Sequence, residues 1–125
     1  MTFKKFTQFG RRNSSFISIT SSHSFGFGGD FLQISDLADY NYVELFFDNS
    51  DDGIKIAFKF VRNQGDSAFK LIENKGTNSR SIVARSFFTT FLKDVNIDEF
   101  KNKYVPEMVN DDEFGKLFVI KLIKK

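Results

Sequence analysis

The sequence predicts a mainly β fold of the α+β class, an internally duplicated β-barrel with two short helices. Residues 42–60 align without a gap on residues 104–122 and share Tyr42/Tyr104, Val43/Val105, Gly53/Gly115 and Lys59/Lys121. A run of acids and amides precedes each of the two glycines, and the segments upstream also correspond, with spacing differences confined to turns. These observations indicate one structural unit used twice in the chain.

Each unit is predicted to run strand, strand, short helix, strand, strand, with boundaries placed to within ~2–4 residues. The first unit, 16–61, has strands at 16–20, 24–28, 42–48 and 54–61 and a helix at 30–37. The second unit, 68–123, has strands at 68–74, 80–84, 103–109 and 116–123 and a helix at 86–94.

The strands are predicted from alternation and the helices from capping residues. Ile54, Ile56, Phe58 and Phe60 fall on one face of a strand, with Lys55, Ala57 and Lys59 on the other. The run 49–53 before it, Asn-Ser-Asp-Asp-Gly, is typical of a tight turn. Ser86 is a candidate N-cap for the second helix. Asp30 is either the equivalent cap in the first unit or part of a hairpin turn at 28–30.

Length and composition indicate one domain, 15–125, preceded by a basic arm, 1–14. The chain has 125 residues, 41% of them hydrophobic, which is enough to bury roughly two-thirds of the unfolded surface. It has no cysteine, which removes disulfides and suits a reducing cytosol. No apolar run approaches the ~20 residues that span a bilayer. We therefore expect a cytoplasmic protein with no membrane partner.

Phenylalanine is unusually abundant, with 18 residues and no tryptophan. The first interpretation is that these side chains fill the core. The second is that some are exposed and stack on unpaired bases, each contributing ~1–3 kcal/mol. Phe25 and Phe27, which lie among glycines and serine, are the best candidates for the second role. In the arm, Phe3, Phe6 and Phe9 are spaced three apart, which fits packing on the domain, ordering on nucleic acid, or contact with a protein partner or a membrane surface.

Charge is unevenly distributed, although the formal net charge is only +2. Residues 1–14 carry four basic residues and no acid, and residues 13–54 carry seven acids and no Lys or Arg. Residues 55–93 carry eight basic residues against two acids, and residues 94–115 are again acidic. The pattern is either a solvated surface or the footprint of a polyanion, since Lys and Arg neutralise phosphates and release counterions.

The predicted nucleic-acid contacts centre on the loop 73–80 and its neighbours, with the arm as a second contact. Asn78 and Arg80 are the group best suited to read base edges. The full set is Arg11, Arg12, Lys55, Lys59, Arg62, Lys70, Lys75, Asn78, Arg80 and Arg85.

The order of elements resembles the swapped-hairpin unit of the AbrB/MazE family of bacterial transcription regulators and antitoxins. The segment 75–83, Lys-Gly-Thr-Asn-Ser-Arg-Ser-Ile-Val, corresponds to the first loop of that unit. The resemblance implies two interlocked units in one barrel, with basic residues of the first loop on DNA. The corresponding loop of the first unit, 20–24, has no basic residue, so the resemblance implies a single-chain pseudo-dimer with one competent loop.

Read from residue 42, the order of four strands and a helix is also similar to the Whirly and single-strand-binding transcription cofactor fold. That resemblance implies a curved sheet that holds unpaired DNA. The chain ends in a hairpin and not in the closing helix of that fold.

Catalytic and metal-binding motifs are not evident. His23 is the one imidazole, and no nucleophile elbow surrounds any serine. The run 48–53 resembles the start of an EF-hand loop, but Lys59 stands at the twelfth position, where a bidentate Glu is required. We therefore expect no enzyme activity, no cofactor and no metal.

The sequence thus predicts a non-enzymatic nucleic-acid-binding protein, a small transcription regulator or accessory factor, with DNA favoured over RNA. The alternative is a protein-interaction module, a subunit or inhibitor that contacts a basic partner protein through the acidic segment 30–52.

Overall fold

A computed structural model describes residues 16–123, apart from positions 22, 38, 51, 52, 66 and 77. The arm 1–14, and with it the predicted contacts Arg11 and Arg12 and the phenylalanines Phe3, Phe6 and Phe9, lies outside the described residues.

The predicted mainly β class is confirmed, and the predicted elements are present in the predicted order. The first half contains β1 (Ile17–Ser21), β2 (Ser24–Phe27), α1 (Gly29–Ile34), β3 (Tyr42–Ser50) and β4 (Gly53–Val61). The second half contains β5 (Phe69–Lys70), β6 (Ile72–Glu73), β7 (Arg80–Val83), α2 (Arg85–Phe91), a 3-10 turn (Ile97–Glu99), β8 (Lys103–Tyr104), β9 (Glu107–Asp111) and β10 (Gly115–Lys121).

The strands form two antiparallel five-stranded sheets where the sequence predicted a closed barrel. Sheet I has the order β6-β7-β2-β1-β8, and sheet II has the order β5-β3-β4-β10-β9. Two predicted strands, 68–74 and 103–109, are each divided between the sheets. The chain leaves sheet II for sheet I at Leu71, whose side chain is buried. It passes from sheet I to sheet II at Val105-Pro106, where proline has no N–H to donate to a ladder.

Both helices begin earlier than their predicted caps. The N-cap of α2 is Ala84 and that of α1 is Gly28, so Ser86 and Asp30 lie inside the first turns. The pairing of β7 with β2 explains the position of α2, because the Ala84 N–H donates to the His23 carbonyl at 2.7 Å as the ladder ends. The alternative of a hairpin turn at 28–30 is wrong, since α1 begins at Gly29.

The core lies between the two sheets, and eight of its 22 buried residues within the described chain are phenylalanines. Phe25 and Phe27 of β2 contact Phe58 of β4 edge to face, with ring centroids 5.0 and 5.6 Å apart. Both helices pack against this layer. Phe31 of α1 contacts Phe118 of β10 at 5.1 Å, and Phe88 of α2 stacks on Phe25 at 5.0 Å.

Tyr104 ties the second crossover to the chain's last described residue. Its hydroxyl donates to the Phe100 carbonyl at 2.6 Å, and the Ile123 N–H donates to the same hydroxyl oxygen at 3.3 Å. Burial raises the pKa of Tyr104 above its ordinary value near 10, because the phenolate would lose its hydration.

This shift predicts a loss of stability in alkali. The folded state holds the Tyr104 proton more tightly than the unfolded chain, so its contribution is complete below pH ~10 and is lost as pH rises through the folded-state pKa. Urea unfolding at pH 8 and pH 11 should show a smaller drop for Tyr104→Phe than for the unsubstituted protein.

Candidate nucleic-acid interface

The structure divides the predicted contact residues between opposite surfaces. Lys55 and Lys59 alternate with the buried Ile56, Phe58 and Phe60, so they lie on the outer face of sheet II. Lys70 pairs with Tyr42 at the edge of the same sheet. Lys75, Asn78 and Arg80 belong to the β6–β7 hairpin of sheet I, and Arg85 is the exposed first residue of α2. Arg62 lies over the Tyr40 ring at 4.7 Å.

On sheet II, acids of β3 stand opposite the lysines of β4. The register places Glu44 beside Lys59 and Asp48 beside Lys55. Lys55 also faces Lys121 of β10, a residue that the sequence analysis did not include. The alignment of Lys121 with Lys59 in the sequence match was the signal for it. Directly opposed like charges are unfavourable. The neighbouring acids offset the lysines, so the outer face of sheet II has little excess charge.

Arg80 is held inside the protein and does not extend into solvent. Its side chain is only 18% exposed, and Nη1 donates to the Tyr40 carbonyl at 2.8 Å. Nη2 lies 3.6 Å from a Glu73 carboxylate oxygen. The guanidinium therefore joins the β6–β7 hairpin to the segment before β3, and its predicted contact with base edges stays a prediction.

A groove of about 520 Å³ crosses the outer face of sheet I beside the predicted loop; apolar atoms supply most of its lining, and we name it the polar groove for its hydroxyl and amide side chains. Ser18, Thr20 and Gly26 lie along its strands, and Asn74, Asn78 and Ser79 of the β6–β7 hairpin also line it. Glycine keeps the groove open, because a Cβ at Gly26 would lie 2.9 Å from Ser18 Oγ and 3.1 Å from Thr20 Cγ2.

Hydrogen bonds fix the hairpin wall of this groove. Asn74 Nδ2 donates to Ser79 Oγ at 2.9 Å, and Ser81 Oγ donates to Asn74 Oδ1 at 3.2 Å. The Asn74 N–H also donates to the Ser79 carbonyl at 3.1 Å. On the strand side, the hydroxyls of Thr20 and Ser24 are 2.7 Å apart. The groove thus presents amides and hydroxyls in fixed positions, which lowers the entropic cost of binding.

Phe16 supplies an aromatic wall, and Lys103 supplies a cation beside it. The ring is half-buried in the groove, and Lys103 Nζ lies 4.7 Å from the ring centroid. The prediction of stacking platforms at Phe25 and Phe27 is wrong, since both rings are buried between the sheets. The alternation of residues along β1 could have identified Phe16. It shares a strand face with Ser18 and Thr20, while Ile17 and Ile19 point to the core.

Groups of three or more His, Cys, Asp or Glu side chains able to hold a metal ion are absent from the described part of the chain. Neither helix within that part has the length and hydrophobicity to cross a bilayer.

No protein-family model matches the chain, and searches among curated proteins and solved structures found no significant match. The chemistry of the two outer faces is therefore the guide to function.

Proposed function

We propose that the protein binds nucleic acid without chemistry, and that the polar groove of sheet I is the binding surface. The observation that carries this proposal is the combination of fixed amides and hydroxyls with the Phe16 ring in one open groove, and the Lys103 ammonium beside that ring. Phosphate and sugar oxygens are recognised by such groups, and an aromatic face stacks on any unpaired base. A single strand fits best, because duplex bases are already stacked.

Two lysines beside the groove support a polyanionic ligand. Lys75 in the β6–β7 turn is exposed, and Lys103 lies at the Phe16 wall. Asp30 is the one charged side chain in the described lining, and Glu73 is drawn toward Arg80. Sheet II, by contrast, opposes each of Lys55 and Lys59 with an acid. Weak, salt-dependent attraction is therefore expected at sheet I.

Internal duplication is the architectural part of the proposal, and the pairing of counterpart strands supports it. β4 pairs antiparallel with β10, its counterpart at the 62-residue offset of the sequence match. β2 pairs antiparallel with β7, its counterpart at an offset of 56. The same offset relates the buried Phe31-Leu32 of α1 to Phe87-Phe88 of α2.

The duplication connects the resemblance to AbrB/MazE regulators with a function, because it identifies the counterparts of that family's DNA-contacting loop. The first loop of each unit, which contacts DNA in that family, corresponds to the β1–β2 and β6–β7 turns, and both turns belong to sheet I. The resemblance favours DNA over RNA and a role as a small transcription regulator or accessory factor. A cytoplasmic location is part of this proposal, since the chain has no cysteine.

The rival proposal, a protein-interaction module acting through segment 30–52, draws on the exposed Asp36 and Asp39. Further along the segment, Glu44 and Asp48 stand opposite lysines of β4, which reduces the charge available to a basic partner. The nucleic-acid proposal is therefore preferred.

Fluorescence anisotropy with labelled single-stranded DNA, duplex DNA and RNA at two salt concentrations tests the proposal. We expect salt-sensitive binding that is strongest for single-stranded DNA. Lys75→Ala with Lys103→Ala should weaken it and lower the slope of log K against log salt by about 2, one for each phosphate that the variant leaves without a cation.

The matched control is the pair Lys55→Ala and Lys59→Ala, which removes the same charge from the opposite sheet. It should leave affinity within about twofold and the salt slope within about 0.5. Equal effects of both pairs would indicate a diffuse charge effect and overturn the assignment to sheet I. Absence of binding to all three nucleic acids would overturn the function.

A further inference from the structure

An open apolar groove of about 480 Å³ lies between α1 and the β8–β9 crossover and shares no lining residue with the polar groove. Its walls include Phe31 and Ile34 of α1, Val105 and Pro106 of the crossover, and Met108 of β9. Ile34, Val105 and Met108 are all exposed, whereas most large apolar side chains of the fold are buried. An exposed cluster of this kind indicates a surface that something covers.

The other half of the molecule shows what fills the corresponding place. Phe47 pairs with Ile56 in sheet II, and Met108 pairs with Phe118. Phe118 is the counterpart of Ile56 at the 62-residue offset, so Met108 occupies the position that corresponds to Phe47. Phe47 is covered by Phe91 of α2, whose ring stacks on it at 4.8 Å. At the equivalent point after α1 stands Ser35, which also lines the groove. The groove is therefore open where a phenylalanine ring is packed in the other half.

The chain enters the described structure beside this groove. β1 pairs with β8 through Ile17–Tyr104 and Ser18–Lys103, so Phe16 is next to Val105 in the continued register. The residues before Phe16 therefore start at the groove's wall. A chain of 15 residues reaches up to ~50 Å when extended, several times the length of β9 at ~3.3 Å per residue.

Charge also matches the arm to this edge. The arm carries Lys4, Lys5, Arg11 and Arg12 without an acid. β9 and the turn after it carry Glu107, Asp111, Asp112 and Glu113, of which three are exposed and Asp111 is half-exposed. Within the described residues, β9 pairs with β10 on one side and with no strand on the other.

From these observations we infer that residues 1–14 dock along β9 of their own chain. One of Phe3, Phe6 and Phe9 fills the apolar groove over Met108, and the basic side chains face the acids of β9 and its turn. An arm phenylalanine then covers Met108 as Phe91 covers Phe47. Arg11 and Arg12 then belong to an intramolecular contact, and the polar groove of sheet I binds its ligand without them.

Engineered disulfide formation tests this docking in the full chain, which has no cysteine of its own. Gln8→Cys keeps all three arm phenylalanines and is combined with Met108→Cys. The control combines Gln8→Cys with Val83→Cys on the outer face of sheet I, where exposure is matched at 53% against 52% for Met108. Under mild oxidation at low protein concentration, we expect the Met108 pair to close at least about tenfold faster, as expected for a raised effective concentration.

Two further changes in the Gln8–Met108 pair separate docking from chance contact. Ser35→Phe should slow closure severalfold, because its ring occupies the groove. Glu107→Gln with Glu113→Gln should also slow closure, and added salt should have less effect on that variant. Equal closure rates for the Met108 and Val83 pairs would overturn the inference. This test uses no nucleic acid, so its outcome is independent of the proposed function.

Discussion

Phe25→Ala should lower the free energy of unfolding by about 3–5 kcal/mol, the usual cost of deleting a buried ring. Phe25 is 0% exposed and lies at the centre of the core. It contacts Phe58 at 5.0 Å, Phe87 at 6.1 Å and Phe88 at 5.0 Å, and so joins β2 to β4 and α2. The three neighbours come from different elements, so they are unable to close the cavity by one local movement.

Urea unfolding followed by far-UV circular dichroism measures this effect, with Phe114→Ala as the matched control. Phe114 lies in the exposed β9–β10 turn, where its ring contacts Phe46 at 4.6 Å. Its deletion should cost about 1 kcal/mol or less, since the ring is already partly in water. Similar destabilisation of the two variants would contradict the assignment of Phe25 to the core and reopen its role as an exposed stacking surface.

The sequence was sufficient for the elements because local signals specify them. The alternation at 54–60 predicted both the strand and its buried face, and Ile56, Phe58 and Phe60 are indeed inside. The division into two sheets depends on non-local pairing. Strand 68–74 reads as continuous, yet Phe69 pairs with β3 while Ile72 pairs with β7. Nothing in its alternation indicates which neighbour each end will have.

The site was harder to predict than the fold, because a residue's type does not show where its polar atoms point. Phe25 and Phe27 lie among small residues in the sequence, but the open space that Gly26 creates is on the outer face, while the two rings point inward. The groove also needs Asn74 and Ser79 from a hairpin some 50 positions away in the sequence. Its composition became evident only when β2 was paired with β7.

Arg80→Met should lower the free energy of unfolding by about 2 kcal/mol, within the range for removal of a hydrogen bond to a charged group. Two interactions are removed, and their sizes differ. The bond from Nη1 to the Tyr40 carbonyl is short and partly buried. The ion pair with Glu73 is long at 3.6 Å, and the Glu73 side chain is 82% exposed, so solvent screening limits it to about 0–1 kcal/mol. The hydrogen bond should dominate.

Glu73→Gln separates the two contributions, because it removes the ion pair and keeps the Tyr40 bond. Urea unfolding should show destabilisation of about 0.5 kcal/mol or less for this variant. If Glu73→Gln destabilised the protein as much as Arg80→Met, the ion pair would be the main interaction and the hydrogen bond secondary. The difference matters for nucleic-acid binding, since Arg80→Met loosens the hairpin that carries Asn74, Asn78 and Ser79. Weaker nucleic-acid binding by this variant would show the importance of the shape of the groove wall, whereas the Lys75→Ala and Lys103→Ala pair tests the contribution of charge.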